Sequence, residues 1–304
     1  MSAPVATLLT QQYQGAVELL LQQNGPRLRG CVMEGSYTGE AANPVDQVGQ
    51  VKPVKNRPRN SDTPLLSVPT DRRWVYPNDY EAADLIDQQD KLRTIDQLDN
   101  PYVQVGRLAV QRAVDDEILL ATFGTAQTGK TGATATAFPG GQSIAANYGA
   151  AANTGLSVAK LRKGRQLLIS AGADWVNDPM YCAVTSLDHD FMLGETQIIN
   201  ADYNGDVTGA RAVLVDGIVS RFLGISFVIV EFTDTVYSAQ ATMGGATRQI
   251  PLWVKSGLHL GVWNDVTARI DERPDKSYAT QWYTKCTVGA TRLQEKKVVQ
   301  VLTV

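Results

Sequence analysis

The sequence predicts an α+β fold. Three observations carry this. Residues Asn100 to Phe123 place Val103, Val110, Val114, Ile118 and Ala121 at helical spacings, and a second helical stretch runs from Ser157 to Gly172. From Leu252 to Val304 the chain becomes a succession of short apolar and β-branched runs, so strands outnumber long helices.

The 304 residues are 43% hydrophobic and 19% charged, which suits one or two packed domains with appendages. A net charge of −3 argues against a surface devoted mainly to neutralising phosphates. Cys31, Cys182 and Cys286 lie far apart, form no C-x-x-C pair, and are expected as free thiols of a reducing compartment. Met1 to Val5 carries no Lys or Arg ahead of its first apolar stretch, so no secretory signal is expected. No apolar run approaches the roughly 18 residues needed to span a bilayer, so no membrane partner is expected.

Taken in order, Val5 to Gln23 reads as an amphipathic helix whose apolar face includes Leu8, Leu9 and Leu20, ended by Asn24-Gly25-Pro26. A helix ahead of the body is expected to be an arm, here residues 1–30. From Asp46 to Asn78, prolines 53, 58, 64, 69 and 77 exclude helix and restrict strands to broken or edge forms. Between Lys52 and Arg73 six cations (Lys52, Lys55, Arg57, Arg59, Arg72, Arg73) face two acids, Asp62 and Asp71. Leu65, Leu66, Val68, Trp74, Val75 and Tyr76 give this stretch more apolar surface than a solvated linker uses, so a projecting loop that orders against a partner is predicted.

Asn100-Pro101 is a helix start, because the Asn side chain caps and a proline at the first helical position loses no hydrogen bond. Gln104, Arg107, Gln111 and Asp115 form a polar stripe, Arg112 and Asp116 are placed to pair, and Gly124 ends the helix. Gly124 to Gly155 reads as loop with a short hairpin, Tyr181 to Val184 as a buried strand, and Ser186 to Leu193 as a helical turn. Val213 to Val215 and Phe227 to Val230 are strand-like, the second apolar on both faces and therefore expected near the centre of a sheet. Strands are also predicted at 252–254, 258–263, 266–271, 278–288 and 298–304.

Gly124-Thr125-Ala126-Gln127-Thr128-Gly129-Lys130-Thr131 satisfies the phosphate-loop pattern G-x-x-x-x-G-K-[ST]. That chemistry needs a buried strand before the loop and a helix after it, whereas here a helix precedes and Gly132 to Gly141 is poor helix material. Gly124, Gly129, Lys130 and Thr131 are therefore read as loop, and no cofactor is predicted. The two histidines, His189 and His259, lack partners at metal-ligand spacing, so Asp188-His189-Asp190 reads as a helix-capping cluster and no metal is predicted. Cys182 with His189 would make a nucleophile and base, but an apolar strand disfavours a thiolate. No catalytic residue is expected.

Several segments resemble a known family. Gly106-Arg107-Leu108-Ala109 followed by Asp115 to Leu119, Leu161-Arg162-Lys163-Gly164-Arg165-Gln166-Leu167-Leu168, Asn200 to Gly205, and Gly217 to Val230 are similar to segments of tailed-phage major capsid proteins of the Hong Kong 97-type fold. The resemblance implies an N-terminal arm (1–30), an extended loop with flanking strands (31–80), a peripheral domain (81–155 and 256–304) holding a spine helix at about 100–123, and an axial domain (156–255). It also implies self-assembly into hexamers and pentamers of an icosahedral shell around double-stranded DNA bound without sequence specificity. Assembly in the bacterial host cytoplasm follows, with portal, scaffolding and decoration proteins as further partners. No long charged helix precedes the arm, so scaffolding is expected from another protein. Lys52, Lys55, Arg57, Arg59, Arg72, Arg73, Trp74, Leu8, Leu9 and Leu20 are the expected subunit contacts. The other readings are a phosphate-loop enzyme using 124–131 and an encapsulin-like compartment shell.

Overall fold

The structure, a computed structural model, describes residues 22–55, 58–60, 62–63, 65–86, 99–174, 176–199, 217–231, 242–243 and 247–304. The arm helix with Leu8, Leu9 and Leu20, the residues Arg57 and Trp175, and the run Asn200 to Asp216 lie outside them.

In chain order the elements are β1 (Met33–Ser36), β2 (Ala42–Val48), β3 (Thr70–Val75), β4 (Asn78–Ile86), α1 (Asp99–Phe123), β5 (Ala126–Thr128), β6 (Thr134–Thr136) and β7 (Ser143–Ile144). There follow α2 (Val158–Ser170), β8 (Met180–Val184), α3 (Ser186–Leu193), α4 (Thr196–Ile199), β9 (Arg221–Phe222), β10 (Ile225–Ile229), β11 (Thr242–Met243), β12 (Thr247–Val254), β13 (Leu258–Arg273), β14 (Ala279–Arg292) and β15 (Val298–Thr303). Three sheets result, in the orders β1-β13-β14-β4, β7-β15-β12-β8-β10-β9 with β11 on β12, and β2-β3-β5-β6.

Two cores share the largest sheet, because successive residues of a strand point to opposite faces. On one face Cys182, Val184, Ile250, Leu252 and Val301 meet Leu161 and Leu168 of α2 and Met192 of α3. On the other, Ala183, Trp253 and Val298 join Val110, Val114, Ile118 and Leu119 of α1 with Leu260, Cys286 and Val288 of the β13–β14 hairpin. Burying each such side chain contributes about 1.5–3 kcal/mol. Glycines set how close the helices approach. A Cβ on Gly106 would lie 2.3 Å from the Trp282 ring, and one on Gly164 would lie 2.5 Å from Leu252.

Four expectations are corrected. Strands 258–263 and 266–271 are one strand, β13, whose pairing with β14 shifts register between Val262 and Thr267; the polar Asn264-Asp265 pair hides its continuity. Phe227 to Val230 is not central: β10 lies between β8 and the two-residue β9, and is apolar throughout because both sheet faces are covered. Asp115, placed on a polar stripe, is 1% exposed and accepts the backbone N–H groups of Arg27 (2.8 Å) and Leu28 (2.9 Å). Arg112 turns away from Asp116 and donates to Gln22 Oε1 (3.0 Å) and the Gln23 carbonyl (3.3 Å).

Candidate assembly surface

Strands β2 and β3 pair antiparallel from Ala42–Val75 to Val48–Thr70, and the Gly49 N–H to Pro69 carbonyl bond (2.7 Å) closes the ladder. Residues 50–68 extend beyond this last bond. At about 3.3 Å per residue, two legs of this length reach up to about 30 Å from the ladder. Lys52, Lys55 and Arg59 are exposed there and make no ion pair or hydrogen bond with described residues. Val51, Val54, Leu66 and Val68 are exposed as well, with Leu65 at 98% and the neighbouring Val48 at 72%. A water-facing run of large aliphatic residues is costly for an isolated chain and marks a surface that another molecule covers.

The root of the hairpin is fixed to the body by different chemistry. Arg73 is 4% exposed, donates from Nη2 to Glu295 Oε2 at 2.9 Å, and brings Nη1 within 2.8 Å of Oε1. Trp74 donates from Nε1 to the Gly129 carbonyl (2.8 Å), while Arg73 and Trp74 pair with Thr128 and Gln127 of β5. Arg72 binds Asp46 across the hairpin (2.6 Å) and stacks over Trp74 at 5.9 Å. Of the expected contact residues, Lys52, Lys55 and Arg59 therefore stand on the projecting tip, and Arg72 pairs across the hairpin. Trp74 is half-buried at the root. Arg73 is a correction: its charge is used inside the subunit, because β3 is the middle strand between β2 and β5.

The phosphate-loop pattern falls on the end of α1, on β5 and on the turn into β6, with no helix after it. Gly129 has φ +85°, which glycine tolerates, and its N–H donates to Asp71 Oδ1 at 3.1 Å. A carboxylate occupies the place where a bound phosphate would accept that bond, and like charges exclude each other there.

The capping reading of the histidine cluster holds, with Thr185 as the cap. Thr185 Oγ1 accepts the Asp188 N–H (3.3 Å) and donates to Asp188 Oδ2 (2.6 Å), and Asp188 pairs with Arg248 at 3.0 Å. His189 Nε2 accepts the Val219 N–H at 3.0 Å, and burial lowers the ring's pKa. Burial pushes the Cys182 thiol far up, and the Cys31 and Cys286 thiols to about 11, so all three stay protonated. Among the described residues no three His, Cys, Asp or Glu side chains converge on a metal-sized site.

Sequence reasoning missed two buried cations. Arg292, 1% exposed, donates to the carbonyls of Thr122 (2.9 Å), Gly124 (2.9 Å) and Thr136 (3.4 Å) and stacks on Phe138 at 5.3 Å. It thereby caps the C-terminal end of α1, where carbonyls lack helical partners. Lys160 is fully buried, donates to the carbonyls of Thr154, Gly155 and Leu302, and has its pKa lowered to about 8 by burial. No sequence signal marks either one, since each partner is a backbone carbonyl, which every residue has.

The sequence profile described as phage capsid protein matches residues 5–304. The chain belongs to the phage capsid protein family. No curated protein sequence matches it significantly. Solved structures share the capsid chain's fold at low identity. The cyanophage P-SCSP1u capsid superposes with a TM-score of 0.70 at 15% identity, covering 99% of this chain and 94% of its own. The bacteriophage PhiM1 mature capsid gives 0.69 at 14%, with 97% and 91% covered. The head of Helicobacter pylori bacteriophage KHP40 gives 0.66 at 10%, with 96% of each chain covered. The capsid chain thus has the Hong Kong 97-type α+β fold and a structural role in a phage head.

Proposed function

We propose that the chain is the major subunit of the head. It assembles into hexamers and pentamers of an icosahedral shell that encloses double-stranded DNA without reading its sequence, and it catalyses no reaction. Assembly takes place in the host cytoplasm, with portal, scaffolding and decoration proteins as partners. The division into arm (1–30), loop (31–80), peripheral (81–155, 256–304) and axial (156–255) parts belongs to the same proposal. The observation that carries it is the hairpin tip, a projecting run of exposed aliphatic and cationic residues with a rigidly anchored root. Such a surface is stable only when a neighbour buries it.

The test is excision of the tip. Removing 50–76 would take out β3 with buried Arg73 and Val75, so the cut belongs at 50–68, with Asn-Gly joining Gly49 to Pro69. The shortened chain is expected to keep its melting temperature and to lose large particles in sedimentation and negative-stain microscopy. Undiminished assembly would overturn the proposal. Particles from the intact chain that package protein and no DNA would favour a compartment shell.

A further inference from the structure

Strand β4 ends its sheet, in the order β1-β13-β14-β4, so its outer backbone edge has no partner strand among the described residues. Trp282 of β14 packs on Gly106 of α1, and its register partner is Asp84; the helix therefore covers the face that bears Asp84. The opposite face carries Asp79, Glu81, Ala83 and Leu85 along β4, all exposed. Asp79 Oδ1 accepts the Thr287 hydroxyl (2.6 Å) and Glu81 Oε1 accepts the Tyr283 hydroxyl (2.7 Å). Both donors are neutral, and neither carboxylate has an ion pair among the described residues.

Other charges on this face are Lys285, in register with Glu81, and Arg269 and Asp271 of β13. They lie inward of the edge, and β4 itself has no Lys or Arg. The edge thus offers two adjacent anions followed by two apolar side chains. The hairpin tip offers the complement: Lys52 and Lys55 without internal partners, flanked by Val51 and Val54. Asp79 and Glu81 are about 7 Å apart and Lys52 and Lys55 about 10 Å in extended chain, a difference that two long lysine side chains absorb.

We infer that the tip of one subunit docks on the β4 face of the next, with Lys52 and Lys55 against Asp79 and Glu81 and the tip's valines against Ala83 and Leu85. The partner is a second copy of this chain. A tip that projects away from its own body cannot satisfy its own β4, yet every copy carries both surfaces. Because the two surfaces differ, the contact is head-to-tail and closes into rings. The inference rests on the shell-subunit reading and narrows it to named residues.

Charge exchange in the full chain tests it. K52E/K55E and D79K/E81K are each expected to cut the pelletable assembled fraction at least tenfold with unchanged melting, and the fourfold variant to recover at least half. Zero-length carbodiimide coupling of mixed light and isotopically heavy subunits, read by mass spectrometry, is expected to link the Lys52–Lys55 peptide of one copy to the Asp79–Glu81 peptide of another. Single-surface variants that assemble normally, or a fourfold variant no better than the worse parent, would overturn the docking site while leaving the shell reading standing. Links without large particles would support the docking site and count against the shell reading. Neither links nor particles would overturn both.

Discussion

Replacing Arg292 by Met tests whether a buried cation ties the spine helix to the hairpin strands. The guanidinium holds the Thr122 and Gly124 carbonyls at 2.9 Å each and the Thr136 carbonyl at 3.4 Å. Burial lowers its pKa, yet an arginine stays charged, so these are hydrogen bonds from a cation. Methionine fills a similar volume and removes the desolvation cost of the charge, but it strands two short-bonded carbonyls at about 1–3 kcal/mol each. A net loss of about 3 kcal/mol follows, or about 6 °C in melting temperature at roughly 2 °C per kcal/mol for a chain of this size. Arg292→Lys keeps the charge without the planar fork and should lose about half as much. The assay is thermal and urea unfolding of the unassembled subunit, since a shell adds contacts of its own. A methionine variant within about 0.5 kcal/mol of the parent would refute the capping role.

Glu295→Ala leaves buried Arg73 without its anion and should cost about 2–3 kcal/mol in urea unfolding, with faster protease nicking of the 49–69 segment. His259, 5% exposed and bonded through Nε2 to the Tyr37 hydroxyl at 2.9 Å, has its pKa lowered by burial to about 4. The unfolded chain, titrating near 6.5, binds the extra proton between these values, so stability is intact above pH 6.5 and falls by about 1.4 kcal/mol per unit down to pH 4. His259→Gln should flatten that part of the melting-temperature profile. A fluorescent ATP analogue should show no saturable binding to the chain or to Lys130→Ala, because Asp71 occupies the Gly129 amide.

The elements legible in the sequence are those whose burial follows a period. The spacing of Val110, Val114 and Ile118 marked the spine helix, observed as Asp99–Phe123, and Ser157 marked the start of α2. The projecting hairpin was legible from proline spacing joined to apolar content. What escaped was long-range partnership. The positive charges of Arg72 and Arg73 look alike in sequence, yet one pairs at the surface with Asp46 and the other is buried on Glu295, more than 200 residues away. Asp115 looked solvent-facing because no local pattern shows that residues 27 and 28 fold back over the helix.

The order of strands bears on when folding can finish. Strand β1 pairs in parallel with β13, residue 33 against residue 259, and β15 lies between β7 and β12, residue 144 against residue 301. Each sheet is therefore completed by residues translated more than 150 positions after its earliest member. A nascent chain on the ribosome holds open edges in both cores until residue 303 has emerged, and contacts this distant in sequence form slowly. Subunits tethered to neighbouring ribosomes on one message consequently lack the finished surfaces that would join them. Translation itself delays polymerisation until whole subunits are free.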